Sequence, residues 1–577
     1  MTLSSDVKLT LIDSFDEACD FVTWLGERRP VLAIDTETEG FHWWRDRIRL
    51  VQIGDARHGW AMRWDRWSGL VEEALRRYDG PIAMHNFKFD SEFLKHTGVD
   101  VPMHLVDDTR TMAHLIMPAR PTGLKPLSAS YLGSGAVSGQ DQLHTFMKKH
   151  KWDWKTVPVD LPEYWIYGAL DTVLTATIWE LMQPEHSVNR EIYDIEMAAQ
   201  NALMEMEMRG ARIDLEYAST KGAELRQWAN EARAWAQQEY GGNFNIGSSR
   251  QLAQMLMSQG WEPTVFTDSG QPSTAKEVLE NIDLPLAKLA IDVKHAEKMA
   301  SAYFDNFIEL TDGEFLHAKF NPIGARTGRM ACTEPNLQNQ PRDALVRDAF
   351  IPREGNKLVL VDYDQMEVRL TAHFVNDPDY IQAIMTEEDI HRYTAAQIYT
   401  VSQGEVTKPM RQVTKNAVYA IIYGSGIATF AKTAGVSTAE AKRVMDGFNS
   451  AYPRVPAFKR ELEQYVLSNR IDGMPAIRTP YGRLQVADED KTYKLMNYLV
   501  QGTGADVLKL KIAELASTDI GQYMIMPIHD EIIFDVPEED AKEVMAEAMK
   551  IMTCHDFKVP LTVDGTIVDR WGDKYRA

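Results

Sequence analysis

The run 524-MIMPIHDEIIFDV-536 sets His529, Asp530 and Glu531 in the middle of residues suited to a sheet interior. An unpaired buried carboxylate is costly, so two adjacent ones need a partner. A second strand-like run, 357-KLVLVDYDQMEVRL-370, carries Asp362 directly after its apolar part. If 524–528 and 532–536 form a hairpin with Asp530 and Glu531 at its tip, a third strand bearing Asp362 builds a carboxylate nest whose missing partner is a divalent cation. A structural turn that happens to carry acids is the plainer alternative. Between these runs, Arg411, Lys415, Tyr419 and Tyr423 in 409-PMRQVTKNAVYAIIYGSG-426 recur every four residues. On a helix they form one stripe, two cations and then two aromatics, suited to a triphosphate lying beside a base. Stripes at this spacing more often pack a core, but core stripes seldom begin with Arg and Lys.

An independent acidic set lies nearer the N-terminus. In 31-VLAIDTETEG-40 an apolar strand ends in Asp35 and Glu37, whose alternate spacing puts both on one face. Carboxylates that close repel unless a cation lies between them. In 85-HNFKFD-90, His85, Asn86 and Asp90 close another strand and open a helix, and in 167-YGALD-171, Tyr167 and Asp171 stack on one helix face. A solvated strand end and an ordinary surface pair are the alternatives.

The elements that must position these residues follow from patterning. The 577 residues correspond to about three or four folding units. With 44% hydrophobic and 25% charged residues the chain reads as globular. No apolar run is long enough to span a bilayer, and MTLSSDVKLT lacks both a secretory core and transit-peptide character, so the cytoplasm is the default location. Cys19, Cys332 and Cys554 show no CxxC spacing, against a disulfide framework or a cysteine zinc site. The net charge of −22 does not exclude nucleic acid, because binding follows local charge and an acidic shell can surround a basic groove. There is no internal repeat or low-complexity segment.

Residues 1 to about 185 alternate β-rich runs (31–35, 48–54, 81–85) with helical stretches, a mixed α/β domain. A break near 182-MQPEHSVNR-190 precedes a helical pattern at 191–210 ending at Gly210. Residues from about 190 to 310 are mostly helical. Strands at 357–363, 524–528 and 532–536 are separated by a large helical block, which implies one sheet with a long insertion and functional residues at strand ends.

Taken in order, Asp35-x-Glu37, Asn86-x3-Asp90 and Tyr167-x3-Asp171 resemble the three motifs of the DEDD 3′-to-5′ exonucleases, tyrosine subclass. The resemblance implies a ribonuclease H-like domain with two Mg²⁺ ions held by Asp35, Glu37 and Asp171, Asp90 acting through a bound water, and Tyr167 orienting the attacking water. From about residue 190 the chain resembles family A DNA polymerases, the group of bacterial DNA polymerase I and its phage relatives. Motif A is 362-DYDQMEVR-369, motif B runs from Arg411 through Lys415 and Tyr419 to Tyr423-Gly424, and motif C is 529-HDE-531. The stretches 326-RTGRMACTEPNLQNQP-341, 389-DIHRYTAAQIY-399, 479-TPYGR-483 and 501-QGTGAD-506 look like the same family.

That likeness implies an exonuclease domain at 1–185 and a right-hand polymerase at 186–577, with thumb at about 190–320, palm at about 321–375 and 475–577, and fingers at about 376–474. It makes Asp362 and Asp530 metal ligands, with the Tyr363 carbonyl added and Glu531 a secondary acid; the ions are Mg²⁺, two per site, with Mn²⁺ as a substitute. Arg411, Lys415 and His391 hold the triphosphate, Lys415 also protonating the pyrophosphate; Gln365 belongs to the nucleotide site, and Glu367 and Tyr423 close off the space of a ribose 2′-OH. Arg329, Asn336, Asn339, Asn497, Gln501 and His529 touch primer or template. The implied partners are primer–template DNA and dNTPs, with a monomeric enzyme of phage-type replication, since no 5′-nuclease segment precedes the exonuclease pattern. Three features depart from the family: Ala420 for the usual Gly, Asp364 where Ser is common, adding an acid near the metals, and Tyr493 where bacterial enzymes carry a template-contacting Arg.

Three rival readings are a single-subunit RNA polymerase, an exonuclease with a merely DNA-binding second half, and a non-catalytic scaffold. Glu367 beside the Tyr423 stripe argues for dNTPs, and two separate carboxylate sets argue for two activities. Tyr419 stands where the family has Phe or Tyr, and in that family Tyr goes with weaker rejection of dideoxynucleotides. Chain terminators are therefore expected to be incorporated readily in a competition extension assay; a strong preference for dNTP over ddNTP contradicts this.

Overall fold

A computed structural model describes residues 7–137, 139–186, 189–341, 344–387 and 389–576. Two sheets position the two acidic sets. The first contains β1 (Lys8–Ile12), β2 (Leu32–Thr38), β3 (Ile48–Gly54), β4 (His58–Arg63), β5 (Ile82–Met84) and β6 (Val106–Asp108), in the order β1-β4-β3-β2-β5-β6. β2, β3 and β4 form an antiparallel meander, β5 and β6 continue parallel to β2, and β1 closes the far edge parallel to β4. With helices α1 (Phe87–His96), α2 (Leu124–Leu132) and α3 (Pro162–His186) around it, this is the ribonuclease H-like arrangement expected.

Two boundaries differ from the sequence reading. β2 continues through Asp35 and Glu37 to Thr38, because both acids keep ladder partners, Gln52 and Leu50, on β3. The acids therefore stand inside the strand, not past its end. α3 runs on through Pro184 to His186, past the start of the expected break at 182–190. A proline this near a helix end removes one hydrogen bond without stopping a helix whose Met182 and His186 are buried. Residues 187 and 188 of that break lie outside the described residues.

Helix α4 (Arg190–Arg209) follows and stops at Gly210, whose φ is 68°. A Cβ there would come within 2.9 Å of the His317 ring, so glycine is needed for both conformation and space. The second sheet contains β7 (Asn356–Tyr363), β8 (Met524–Ile528), β9 (Glu531–Pro537) and β10 (Val563–Val568) in the antiparallel order β8-β9-β7-β10. Leu358, Val359, Leu360 and Val361 of β7 are all buried, which is why this strand reads as a continuous apolar run. The long insertion between β7 and β8 carries helices α5 (Lys408–Ile422) and α6 (Leu495–Ala516). β10 is an edge strand that the sequence reading did not isolate.

Helix α4 is joined to α6 by charges taken fully out of water. Glu196 pairs with Arg483 and with Lys509, Arg483 Nε donates to Asp506 at 2.6 Å, and all four side chains are at most 1% exposed. Lys509 also donates to the Pro322 carbonyl at 2.8 Å, and the Thr479 hydroxyl donates to Asp506 at 2.6 Å. A buried pair costs desolvation on both sides, but losing one partner leaves the other charge uncompensated. Glu196→Ala leaves buried Lys509 without its paired carboxylate and Arg483 with only Asp506, and is expected to destabilise the protein by roughly 3–5 kcal/mol, read as a lowered urea midpoint; an unchanged midpoint contradicts the network's role.

Candidate active sites

Asp362, near the end of β7, lies opposite Glu531 of β9 and Asp564 of β10. Asp530 sits in a two-residue turn, since Ile528 already pairs with Glu531. Glu531 thus belongs to the strand and not to the hairpin tip where the sequence placed it. Two-residue hairpin turns favour positive φ at their first position, and His529 has φ 58°. The Tyr363 N–H donates to the Asp530 carbonyl at 3.3 Å and the Tyr363 hydroxyl to the Met552 carbonyl at 2.6 Å. The first bond fixes the turn to β7, and the second ties β7 to the end of the helix Ala541–Met552.

Lys574 completes this nest. Its ammonium donates to Asp362 Oδ2 at 3.1 Å and also to Glu531 Oε1. The 3₁₀ segment Trp571–Tyr575 delivers it, with Trp571 fully buried and the Arg347 guanidinium 4.2 Å from the Trp571 ring and 4.3 Å from the Tyr575 ring. Burial, with Asp362 adding repulsion, pushes the Asp530 carboxyl up to about 7. Burial also raises Glu531, against the pull of Lys574.

Helix α5 presents the expected stripe. Arg411 Nε donates to Asp389 at 2.6 Å, and Asp389 itself caps the helix Ile390–Tyr399 that carries His391. The His391 ring lies 6.3 Å from Tyr419, which lies 6.1 Å from Tyr423. His391 is buried with neither ring nitrogen hydrogen-bonded, and burial together with Lys415 and Arg411 pushes it down to about 4. It is a neutral imidazole near pH 7, able to donate an N–H without adding charge. The Tyr423 hydroxyl donates to Glu367 Oε2 at 2.7 Å, while Arg329 pairs with Glu367 Oε1.

The three departures have local explanations. Ala420 packs its methyl among Phe430, Ala431 and Val444. Tyr493 lies against Gly424, whose φ is 71° and whose added Cβ would come 2.9 Å from the Tyr493 ring. Asp364, read as an added acid near the metals, pairs with Arg369, and Gln365 Nε2 donates to it at 3.2 Å. Of the residues read as touching DNA, Arg329, Asn336 and Asn339 are exposed, while Asn497 and Gln501 lie one turn apart on α6. The Asn336 oxygen caps the Leu337–Asn339 turn, leaving its amide donors for other contacts.

In the first domain, β2 aims Asp35 and Glu37 from one face, α1 supplies Asp90, and α3 supplies Tyr167 and Asp171. Asp90 Oδ1 accepts from the Thr36 N–H at 2.9 Å and the Thr36 hydroxyl at 2.6 Å. Lys125 of α2 pairs with Asp171. Asn86 holds φ 71° at the start of α1 and accepts from Arg110 Nη1 at 2.6 Å. Burial pushes Asp35 up to about 7, opposed by Lys125; burial and the neighbouring Asp35 hold Glu37 and Asp90 well above the carboxylate range. The Tyr167 hydroxyl is raised by burial, then by Glu37, and stays protonated.

Among the described residues no three His, Cys, Asp or Glu side chains already converge as ligands of one ion. Lysines stand among the acids instead. The donor chemistry nevertheless fits a hard divalent cation: the sets are carboxylates, and buried ones with raised affinity for protons lack cationic charge. Lys574 and Lys125 escaped the sequence reading because neither lies in an acidic motif; only folding brings them there.

Residues 215–573 match the profile described as DNA polymerase family A, and residues 11–187 match that described as 3′-5′ exonuclease. The DNA polymerase of Mycobacterium phage D29 is 28% identical over 99% of this chain and 98% of its own. The DNA polymerase I of Aquifex aeolicus is 29% identical over 94% of this chain and 96% of its own. A solved POL domain of Pol1 from M. smegmatis, in complex with DNA primer-template and dNTP, superposes with TM-score 0.79 over 98% of this chain and 99% of that one, at 22% identity, a likeness of fold.

Because the Asp530 carboxyl is raised from an ordinary value near 4 to about 7, the folded state binds its proton more tightly than the unfolded chain. Metal-free stability from this group is present at low pH and is lost as pH rises through about 7. Asp530→Asn removes that loss and is expected to raise the metal-free melting temperature by a few degrees at pH 8 and less at pH 5; an equal shift at both contradicts the assignment.

Proposed function

Because this chain belongs to DNA polymerase family A, we propose that it extends a DNA primer along a template with deoxynucleotides, and that its N-terminal domain proofreads by trimming the 3′ end. The working division is exonuclease at 1–185 and polymerase at 186–577, with thumb, palm and fingers as set out above. The substrates are primer–template DNA and dNTPs, and the enzyme works as a monomer. Its setting is phage or bacterial DNA replication in the cytoplasm, a reading that agrees with relatives in both groups and with the absence, among the described residues, of a helix long and apolar enough to cross a membrane.

The observation that carries the synthetic half is the Asp362–Glu531 pairing beside the Asp530 turn, together with the Tyr423–Glu367 bond that joins the fingers helix to motif A. Asp362, Asp530 and the Tyr363 carbonyl would hold Mg²⁺ in one site, and Asp35, Glu37 and Asp171 in the other. When bound, two such ions activate the attacking oxygen and stabilise the leaving one. Arg411 and Lys415 grip the incoming triphosphate, and neutral His391 donates an N–H to it. The primer 3′ oxygen attacks the α-phosphorus in line, the bond to the β-phosphate bridge breaks, and Lys415 gives a proton to the departing pyrophosphate. Gln365 lines the nucleotide site, and the Tyr423–Glu367 pair fills the room a ribose 2′-OH needs. Arg329, Asn336, Asn339, Asn497, Gln501 and His529 hold primer and template by shape. In the trimming site Tyr167 orients the attacking water and Asp90, held by Thr36, acts through a bound water.

A 5′-labelled primer annealed to a template, run with and without dNTPs, tests both halves. Asp362→Ala or Asp530→Ala is expected to cut extension by roughly 10²–10³-fold or more while shortening without dNTPs persists, and Asp35→Ala with Glu37→Ala to do the reverse. Extension that survives either palm substitution, or that proceeds with rNTPs alone, overturns the reading.

A further inference from the structure

Three carboxylates of the N-terminal site have no hydrogen-bonded anchor comparable to that of Asp90, which accepts twice from Thr36. Asp35 has the Thr36 backbone N–H as a lesser aid, and it, Glu37 and Asp171 are held mainly by charge. Arg49 bears on Glu37, but its Nη1 donates to the Trp154 carbonyl at 2.6 Å and its guanidinium lies against the Tyr164 ring, 5.6 Å from its centre. Lys125 is the cation inside the set. Its side chain is 14% exposed, its ammonium pairs with Asp171 and lies 4.3 Å from the Tyr167 ring centre, and its charge acts on both Asp35 and Glu37. One ammonium thus touches or faces four of the five side chains assigned to this site.

An ammonium on a flexible four-carbon stem is a mobile point charge, unlike a guanidinium fork. It can hold carboxylates together and still withdraw. Two divalent ions among the same oxygens would repel it, since like charges brought close together out of bulk water are strongly unfavourable. The lysine and the ions are therefore competitors for one nest.

We propose that Lys125 is a positioning residue of the trimming site, a resident counter-ion that keeps Asp35, Glu37, Asp171 and the Tyr167 ring assembled before divalent ions arrive and then gives way to them, setting the metal concentration at which trimming begins. The assignment rests on the two-ion reading above and adds the residue that tunes it. Lys125→Met keeps the stem's bulk and removes the charge; Lys125→Arg keeps the charge.

The test uses the full chain carrying Asp362→Ala and Asp530→Ala, so that Mn²⁺ reports the N-terminal site. Mn²⁺ binding is followed by electron paramagnetic resonance, and melting temperature is measured in EDTA and at saturating Mn²⁺. Lys125→Met is expected to melt lower than its parent in EDTA but alike at saturating Mn²⁺, and to bind Mn²⁺ roughly tenfold more tightly, about 1.4 kcal/mol. Lys125→Arg is expected to retain the parent's melting temperature in EDTA. A Met variant that melts lower in both conditions with unchanged Mn²⁺ affinity shows a merely structural lysine and overturns the proposal alone. A parent that binds no Mn²⁺ overturns the two-ion reading and the proposal together.

Discussion

Gathering carboxylates out of water is the constraint on which both halves of this protein depend. Each site brings acids from separate elements into a space where burial is the largest influence raising their hold on protons, as at Asp530 and Asp35. The same problem is met twice with the same device, a lysine from an element outside the motifs: Lys574 between Asp362 and Glu531, and Lys125 beside Asp171. The rest of the architecture serves to hold backbone still while those charges are arranged. The β7 ladder, the tight turn at His529 and the Thr36 clamp on Asp90 each immobilise an acid through main-chain geometry, which no change of ionic conditions can screen.

Much of this was legible in the sequence because the informative residues are spaced by local periodicities. Alternation on β2 put Asp35 and Glu37 on one face, and the four-residue repeat of α5 put Arg411, Lys415, Tyr419 and Tyr423 on one stripe. The two-sheet plan followed from continuous apolar runs. What was not legible depends on partners far away in the chain. The strand ends at Asp35 and Glu531 were misplaced because ladder pairing with β3 and β8 extends a strand beyond its apolar part. Asp364 looked like an extra metal-side acid, and only the fold shows Arg369 claiming it. Lys125 and Lys574 lie outside every acidic motif and reach the carboxylates only through the fold.

The two nests also differ in how they are reached. Beside the Asp362 nest, the Glu367 carboxylate receives both Arg329 and the Tyr423 hydroxyl, so the wall there is built from the helix that follows β7 and from the end of α5. Opening or shifting α5 must break that bond. In the N-terminal site every assigned side chain comes from within residues 35–171. The first nest is walled by separate stretches of the chain, the second by one sheet and its helices.

Helix α1 has two jobs on opposite sides. Asp90 faces the trimming nest, while Lys88 and Glu92, each two residues away, face the other way and pair with Glu207 and Lys319, Lys88 also donating to the Phe320 carbonyl at 2.7 Å. The N-terminal domain is therefore not a detachable cassette. Grafted onto a foreign polymerase body, it would arrive with a lysine and a glutamate whose counterparts were left behind, and the mismatch would be felt at Asp90, two residues from either.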